Sequence, residues 1–351
     1  MKKKIIALAI AAALSSPAFA DNANVTVYGK AFLNIESVSN DKSALSTATR
    51  VQTNASRLGF KGKEDLGDGL SGIYQYEVTL DADGNAGTGA GAGTRNSGVG
   101  IEAGFGTVMM GIWDTPFKVA HNKVELFDNA TVFSALNLIG RAGGAAGANY
   151  GTRQKNVVQY WSPSLGGVKV NVSYSPDEGG NGVATTQGLN KSLTSLAATY
   201  DVDAIYVAAA FENRTDVAFA GTTDSAARLV ARLTLGDFWL GATVENITVN
   251  TSATVSYTQS NSELAAQYKL GASSIGLSYA IAGATATANT GANQASLRYG
   301  YNFSKRTELF AAYTALKNDT AGAYGLSSGT TFGTNAGSSQ TAAGLGVIHS
   351  F

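Results

Sequence analysis

Apolar and polar residues alternate one for one through most of this chain. The alternation is strict in Val168-Lys169-Val170-Asn171-Val172-Ser173-Tyr174, and Ile205, Val207, Ala209 and Phe211 share one face of the next such segment. Ala227, Leu229, Ala231 and Leu233 oppose Arg228 and Arg232, while Leu264, Ala266, Tyr268 and Leu270 oppose Glu263, Gln267 and Lys269. Leu297, Tyr299, Tyr301 and Phe303 oppose Ser296, Arg298 and Asn302. Near the start, Val25, Val27, Ala31, Leu33 and Ile35 oppose Tyr28, Lys30, Asn34 and Glu36. A period of 180° per residue predicts β-strands with two chemically different faces.

The links between these strands fall into two classes. Short turns stand at Gly67-Asp68-Gly69, Gly104-Phe105-Gly106, Pro163 to Gly167, Asp201-Val202-Asp203, Leu235-Gly236-Asp237, Gly271-Ala272-Ser273 and Ser304-Lys305-Arg306. Between them lie polar stretches rich in Gly, Ser, Thr, Asn and Ala, at 38–54, 82–94, 175–191, 213–224, 249–260, 283–293 and 317–339. With one longer linker from 114 to 150, these make 15 links and predict about 16 strands. An open sheet of that size would expose two pairing edges, which invite aggregation, and closure removes them. A closed antiparallel barrel with short turns at one end and long loops at the other is the outer-membrane pattern. An exported soluble sandwich or solenoid would show the same alternation, because the pattern does not say which face is inside. Turn asymmetry, length and the final residue Phe351 favour the barrel.

Composition narrows the chemistry. Glycine is 42 of 351 residues and proline only 4, cysteine is absent, and the only histidines are His121 and His349. Disulfides, thiolate metal sites and catalytic thiols are excluded, and a Ser-His-Asp triad has little material. Lys2-Lys3-Lys4, an apolar run from Ile5 to Leu14 and Ala18-Phe19-Ala20 have the layout of a secretory signal peptide cleaved after Ala20. The domains expected are therefore a signal peptide at 1–20 and one barrel at 21–351, with the 114–150 loop inside it. Without the three leader lysines the mature chain has 22 basic and 25 acidic residues, and carries no nucleic-acid footprint.

Several segments carry a family resemblance. "SRLGFKGKEDLGDGL" (Ser56 to Leu70), "VTVYGKAFL" (Val25 to Leu33), "GFGTVMMGIWDTPF" (Gly104 to Phe117), "YWSPSLGGVKVNVSY" (Tyr160 to Tyr174) and "YNFSKRTELFAAYTALKN" (Tyr301 to Asn318) resemble Gram-negative general porins, as does the terminal Phe. The resemblance spans the mature chain. It implies a 16-stranded barrel in the bacterial outer membrane that assembles as a homotrimer. Outer-membrane lipid and lipopolysaccharide would surround it, and barrel-assembly machinery would insert it. It would form water-filled channels for small hydrophilic solutes and ions, with the third long loop, L3, folded into the lumen. No cofactor is implied.

In that family a basic cluster on the wall faces acidic residues on L3. The basic positions carried over are Lys30, Arg57, Arg95 and Arg153, with Lys155 on the parity of Arg153. The L3 carboxylates are Asp114, Glu125 and Asp128, balanced by Lys118, Lys123 and Arg141. The loop lacks the acidic Pro-Glu-Phe-Gly-Gly motif of enterobacterial members. A basic wall opposite a neutral loop predicts weak or anion-leaning selectivity, since rings of charge at a constriction decide what passes. A short helix is expected around Val119 to Phe127.

Competing readings are a substrate-specific channel, or an adhesin-type barrel with a blocked lumen. His121 and Glu125 at i, i+4 read as a surface pair on the loop rather than two metal ligands. "GTGAGAGTRNSG" (Gly87 to Gly98) lacks the lysine of a phosphate loop and reads as an outer loop. On the last strand, parity places Phe351, His349, Val347, Leu345 and Ala343 outward. Ala342, Gly344, Gly346, Ile348 and Ser350 then face a lumen that small residues leave open. Phe351 is expected in the periplasmic aromatic girdle, and the family resemblance implies that it is also the assembly signal.

Overall fold

A computed structural model describes residues 24–44, 46–83, 95–129, 131–145, 147–176, 191–326 and 335–351. The expected leader, 1–20, and much of three expected loops, at 84–94, 177–190 and 327–334, lie outside the described residues. The first strands are β1 (Asn24–Asn40), β2 (Thr47–Thr53), β3 (Arg57–Gly67), β4 (Leu70–Thr79), β5 (Ser97–Ala103) and β6 (Gly106–Asp114). Within L3 lie α1 (Pro116–His121), a 3-10 turn (Ala135–Asn137) and the two-residue strands β7 (Arg141–Ala142) and β8 (Ala148–Asn149). The barrel continues as β9 (Arg153–Trp161), β10 (Val168–Pro176), β11 (Ser192–Val202), β12 (Ile205–Thr215), β13 (Thr223–Leu235) and β14 (Phe238–Asn250). It ends with β15 (Ser256–Leu270), β16 (Ser273–Ala282), β17 (Ala292–Asn302), β18 (Thr307–Asn318) and β19 (Ser339–Ser350).

Every barrel strand runs antiparallel to its neighbours. β6 pairs with β9 across L3, and β19 pairs with β1 from Lys30↔Ser350 to Asn40↔Gln340, which closes the sheet. β2 and β3 pair end to end along β1 and form one stave, interrupted at Asn54–Ser56. There Ala55 takes φ 50°, and the Ser56 hydroxyl accepts a hydrogen bond from the Phe32 amide at 2.8 Å, so the ladder survives the break. Counted this way, the described residues form 16 staves.

Two sequence expectations are corrected. The polar stretch 38–54 contains β2 and the end of β1, and 249–260 contains the first five residues of β15. Strands extend past the apolar band there. Their inward side chains, Asn40, Gln52 and Gln259, are polar yet buried, so the strands continue where apolar–polar alternation fades. The L3 helix starts at Pro116 and ends at His121, earlier than expected. Thr115 caps it by accepting the Lys118 amide at 3.4 Å, and Pro116 occupies its first turn.

The faces decide between a membrane barrel and a soluble sheet. On β12, Ile205, Val207, Ala209 and Phe211 point out while Tyr206, Ala208, Ala210 and Glu212 are buried. Leu229, Leu264, Leu277 and Leu297 are likewise exposed, whereas Arg228, Glu245, Glu263 and Ser296 are buried. A sheet with leucine outside and ionisable groups inside needs lipid around it.

The interior is filled by L3. Phe127, Val132, Phe133, Leu138 and Ile139 pack with Phe32, Phe310 and Leu316 of the wall. Phe117, Ala120, Val124 and Tyr150 pack with Ala197, Ala208, Ala226 and Ile247. The small residues of β19 make room for this core rather than leaving space open. A Cβ at Gly346 would collide with the Phe310 ring, and one at Gly344 would lie 3.0 Å from Phe133.

Candidate functional site: a charged lumen lined by L3

Along β1 and β3 the register Lys30↔Arg57 sets two cations side by side on the lumen face. Arg95 lies just before β5, where no strand parity applies, which is why its direction was illegible. Its guanidinium pairs with Glu77 of β4, and Arg57 Nε lies 3.6 Å from the other oxygen of that carboxylate. Tyr28 donates to the same oxygen at 3.1 Å. Glu77 therefore organises Arg57, Arg95 and Tyr28 around one anion. Nothing in its sequence context marked it beyond its lumen parity on β4.

Arg153 begins β9 on the far side of L3. Its Nη2 lies 3.2 Å from Asp114, and its Nε donates to the Asn96 side-chain oxygen at 2.7 Å. Asn96 donates in turn to Asp114 at 3.1 Å and accepts the Asp114 amide at 3.1 Å. Lys118 reaches back one helical turn to Asp114 at 2.8 Å. Burial depresses the Lys118 ammonium below the usual lysine range, and its bond to Asp114 offsets part of that. Lys155 lies outward of this group, lining a cavity with Arg153, Lys191 and Arg214.

The three L3 carboxylates separate. Asp114 sits inside the arginine cluster. Asp128, at φ 60°, pairs with Lys30. Glu125 turns back onto its own loop, accepting from the Phe127 amide at 2.7 Å and the Ser134 hydroxyl at 2.8 Å. Burial pushes its carboxyl up, eased by His121 and reinforced by Glu263.

His121 is not a surface residue of the loop. Its side chain is buried, with Nε2 2.6 Å from the Glu263 carboxylate of β15. Helix α1 ends at His121, so i, i+4 spacing to Glu125 has no helical meaning. Among the described residues, no group of three His, Cys, Asp or Glu could hold a metal.

A second set of contacts, unforeseen from the sequence, holds L3 in place. Arg228 of β13 and Glu245 of β14 form an ion pair of 2.6 Å, with side chains only 1% and 0% exposed. Glu245 also accepts the Gly140 amide at 2.5 Å, and Arg228 donates to the Phe117 carbonyl at 2.9 Å. Ser195 accepts the Phe117 amide at 3.0 Å, Tyr206 donates to the Ala120 carbonyl at 2.8 Å, and Ser296 donates to the Phe133 carbonyl at 2.8 Å. Lumen-facing polar residues on five strands thus satisfy the backbone of a loop that has little ladder of its own.

At the barrel seam Phe351 exchanges backbone hydrogen bonds with Gly29 at 3.0 and 3.1 Å. Its ring lies over Gly29, stacks on His349 at 6.5 Å and is 48% exposed on the outer face.

The arrangement sets a cluster of paired cations on the wall beside a loop anchored by lumen-facing polar residues. Several known proteins resemble this chain. The chain is 27% identical to outer membrane porin protein 32 of Delftia acidovorans over 370 residues, covering both chains fully. It matches the structure of an anion-selective porin from Comamonas acidovorans at TM-score 0.82 and 25% identity, over 94% of this chain and 100% of that one. The in-vitro folded trimer form of OmpT from Vibrio cholerae matches at TM-score 0.67 and 16% identity, over 94% of this chain and 100% of that chain. Together with the closed barrel, a match of residues 7–321 to the Gram-negative porin family profile makes this chain a member of that family, a diffusion channel of the bacterial outer membrane.

Proposed function

We propose that this porin is a general diffusion channel whose constriction favours anions. The observation that carries the reading is the local charge balance. Lys30, Arg57, Arg95, Lys118 and Arg153 stand against Glu77, Asp114 and Asp128, a surplus of two positive charges where L3 meets the wall. Fields inside a narrow low-dielectric passage outweigh screened charge on exposed loops, so this surplus counts for more than the slightly acidic mature chain. The anion selectivity named for the Comamonas relative supports the same sign.

In this reading Lys30, Arg57, Arg95 and Arg153 form the basic wall. Asp114 and Asp128 are counter-charges that hold the wall in register, and Glu125 shapes the loop. The functional unit is a homotrimer, as in the trimeric relative, surrounded by lipid and lipopolysaccharide. The mature chain starts at Asp21, Phe351 is read by the barrel-assembly machinery, and no residue is assigned a catalytic role. Recording from purified trimers in planar bilayers tests this. A KCl gradient should give a reversal potential with chloride preferred, and conductance should appear in steps of three. Strong potassium preference would overturn the assignment.

A further inference from the structure

Tryptophan in a membrane barrel ordinarily lies in the outer girdles, at the lipid–water interface. Here all three tryptophans face inward. Trp239 is accounted for structurally: it is buried, donates to Gln267 at 3.1 Å and carries the Arg232 guanidinium on its ring at 4.5 Å. Trp113 and Trp161 are different. They are only half-buried, and their rings meet edge to face at 5.6 Å and 75°. They line a lumen cavity of about 560 Å³, with Met109 buried among its lining residues.

The same cavity holds cations. Arg57, Lys61 and Lys63 share the lumen face of β3, descending from the arginine cluster toward the Gly67–Gly69 turn. Lys63 is paired with Glu102 at 2.6 Å. Lys61 is exposed, lies over the Tyr28 ring at 5.4 Å, and has no carboxylate partner among the described residues. The indole N–H groups of Trp113 and Trp161 likewise have no hydrogen-bond partner there. An anion leaving the arginine cluster toward the short-turn end therefore next meets an unpaired ammonium beside two partly open indole rings.

We propose that Trp113, Trp161 and Lys61 form a permeation subsite for small aromatic carboxylates. The carboxylate rests on Lys61 and the ring packs on the indoles, an arrangement that aliphatic acids of the same charge use less well because they lack the π face. The cavity is of the size that small-molecule sites occupy; Met109 and the two indoles line one side, and Lys61 is the charge left over once Lys63 pairs with Glu102. The subsite deepens the anion-channel reading and rests on it.

The test uses trimers of the full chain in planar bilayers, with sodium benzoate and sodium cyclohexanecarboxylate as probes. The two have equal charge and similar size. Benzoate current should saturate with concentration at about threefold to tenfold lower concentration than cyclohexanecarboxylate current. Trp161→Leu or Trp113→Leu should bring that ratio close to one, while Lys61→Gln should weaken both acids together and leave the ratio standing. A wild-type ratio of one overturns the subsite, as does a ratio that survives both tryptophan substitutions, or a channel slowed by maltose and not by benzoate. If the leucine variants do not assemble, the wild-type ratio alone decides. Chloride-over-potassium selectivity, measured on the same channels, reports separately on the anion-channel reading.

Discussion

Glu245→Gln isolates the anchoring of L3 from everything else in the barrel. The substitution preserves shape and one acceptor oxygen but leaves Arg228 charged, buried and without its counter-ion. Removing one partner of a buried, hydrogen-bonded pair costs about 3–5 kcal/mol, and the retained amide oxygen places this case near the lower figure. The barrel ladders do not depend on the pair, because β13 and β14 stay joined from Ser225↔Thr248 to Leu235↔Phe238. The cost therefore falls on the loop: Glu245 holds the Gly140 amide, and Arg228 holds the Phe117 carbonyl and lies 4.0 Å over the Phe117 ring. At 1.4 kcal/mol per tenfold, about 3 kcal/mol raises the population of the detached loop roughly a hundredfold. Amide hydrogen exchange on trimers in detergent reads this directly. Protection at Gly140 should fall roughly a hundredfold while the strand amides of β13 and β14 keep theirs, and single-channel current should become noisier. The double substitution Arg228→Met with Glu245→Leu removes both charges and should recover most of the loss. Unchanged exchange at Gly140 in Glu245→Gln, or a double variant worse than either single, would refute the reasoning.

Three further outcomes are expected. Glu77→Gln removes the anion that neutralises Arg57 and Arg95 and should raise the chloride-to-potassium permeability ratio, whereas Arg95→Gln should lower it; reversal potentials in a KCl gradient report both. Lys118 has its proton affinity lowered by burial, so raising the pH discharges it before an exposed lysine near 10.4 would titrate. Anion preference should accordingly decline with rising pH below that value, and Lys118→Gln should start lower and lose that phase. At the seam, a Cβ at residue 29 would press on the Phe351 ring and lie 2.8 Å from the Arg57 carbonyl. Gly29→Ala and deletion of Phe351 should therefore both reduce the yield of heat-resistant trimers on gels before either alters the conductance of those that form.

The staves were legible because a lipid-facing strand must alternate: Leu229, Leu264 and Leu297 announce their faces, and parity agreed with the family resemblance that carried Lys30 and Arg57 onto the wall. Legibility ended where the chain leaves that constraint. Arg95 precedes its strand, so its direction depends on Glu77, 18 residues earlier in the chain and one stave away. The L3 carboxylates are set by backbone geometry, and equal formal charge gave no way to foresee that Asp114 and Asp128 meet cations while Glu125 folds inward.

His121 shows the deeper reason. Read as part of a loop, it belonged on a surface, because loops ordinarily run over the outside of a fold. In this barrel the loop runs through the inside, where its Phe117, Phe133, Leu138 and Ile139 are completely or almost completely buried. The five apolar residues among 133–139, interrupted by Ser134 and Asn137, are the sequence signal that could have marked this loop as buried. A closed sheet whose leucines face lipid turns few large apolar side chains inward, so the loop packs its own against Phe32, Phe310, Leu316 and Ile247, and the wall answers with Arg228, Glu245, Gln294 and Ser296 for the loop's backbone. The polar lumen residues thus divide into two populations with different tolerances. Those on the L3 backbone are constrained by burial and should resist substitution through stability. Those around Glu77 and Asp114 are constrained by field and should resist it through selectivity. Measuring both quantities on one set of lumen variants would separate the two, and a residue that altered selectivity only in proportion to lost stability would belong to the first.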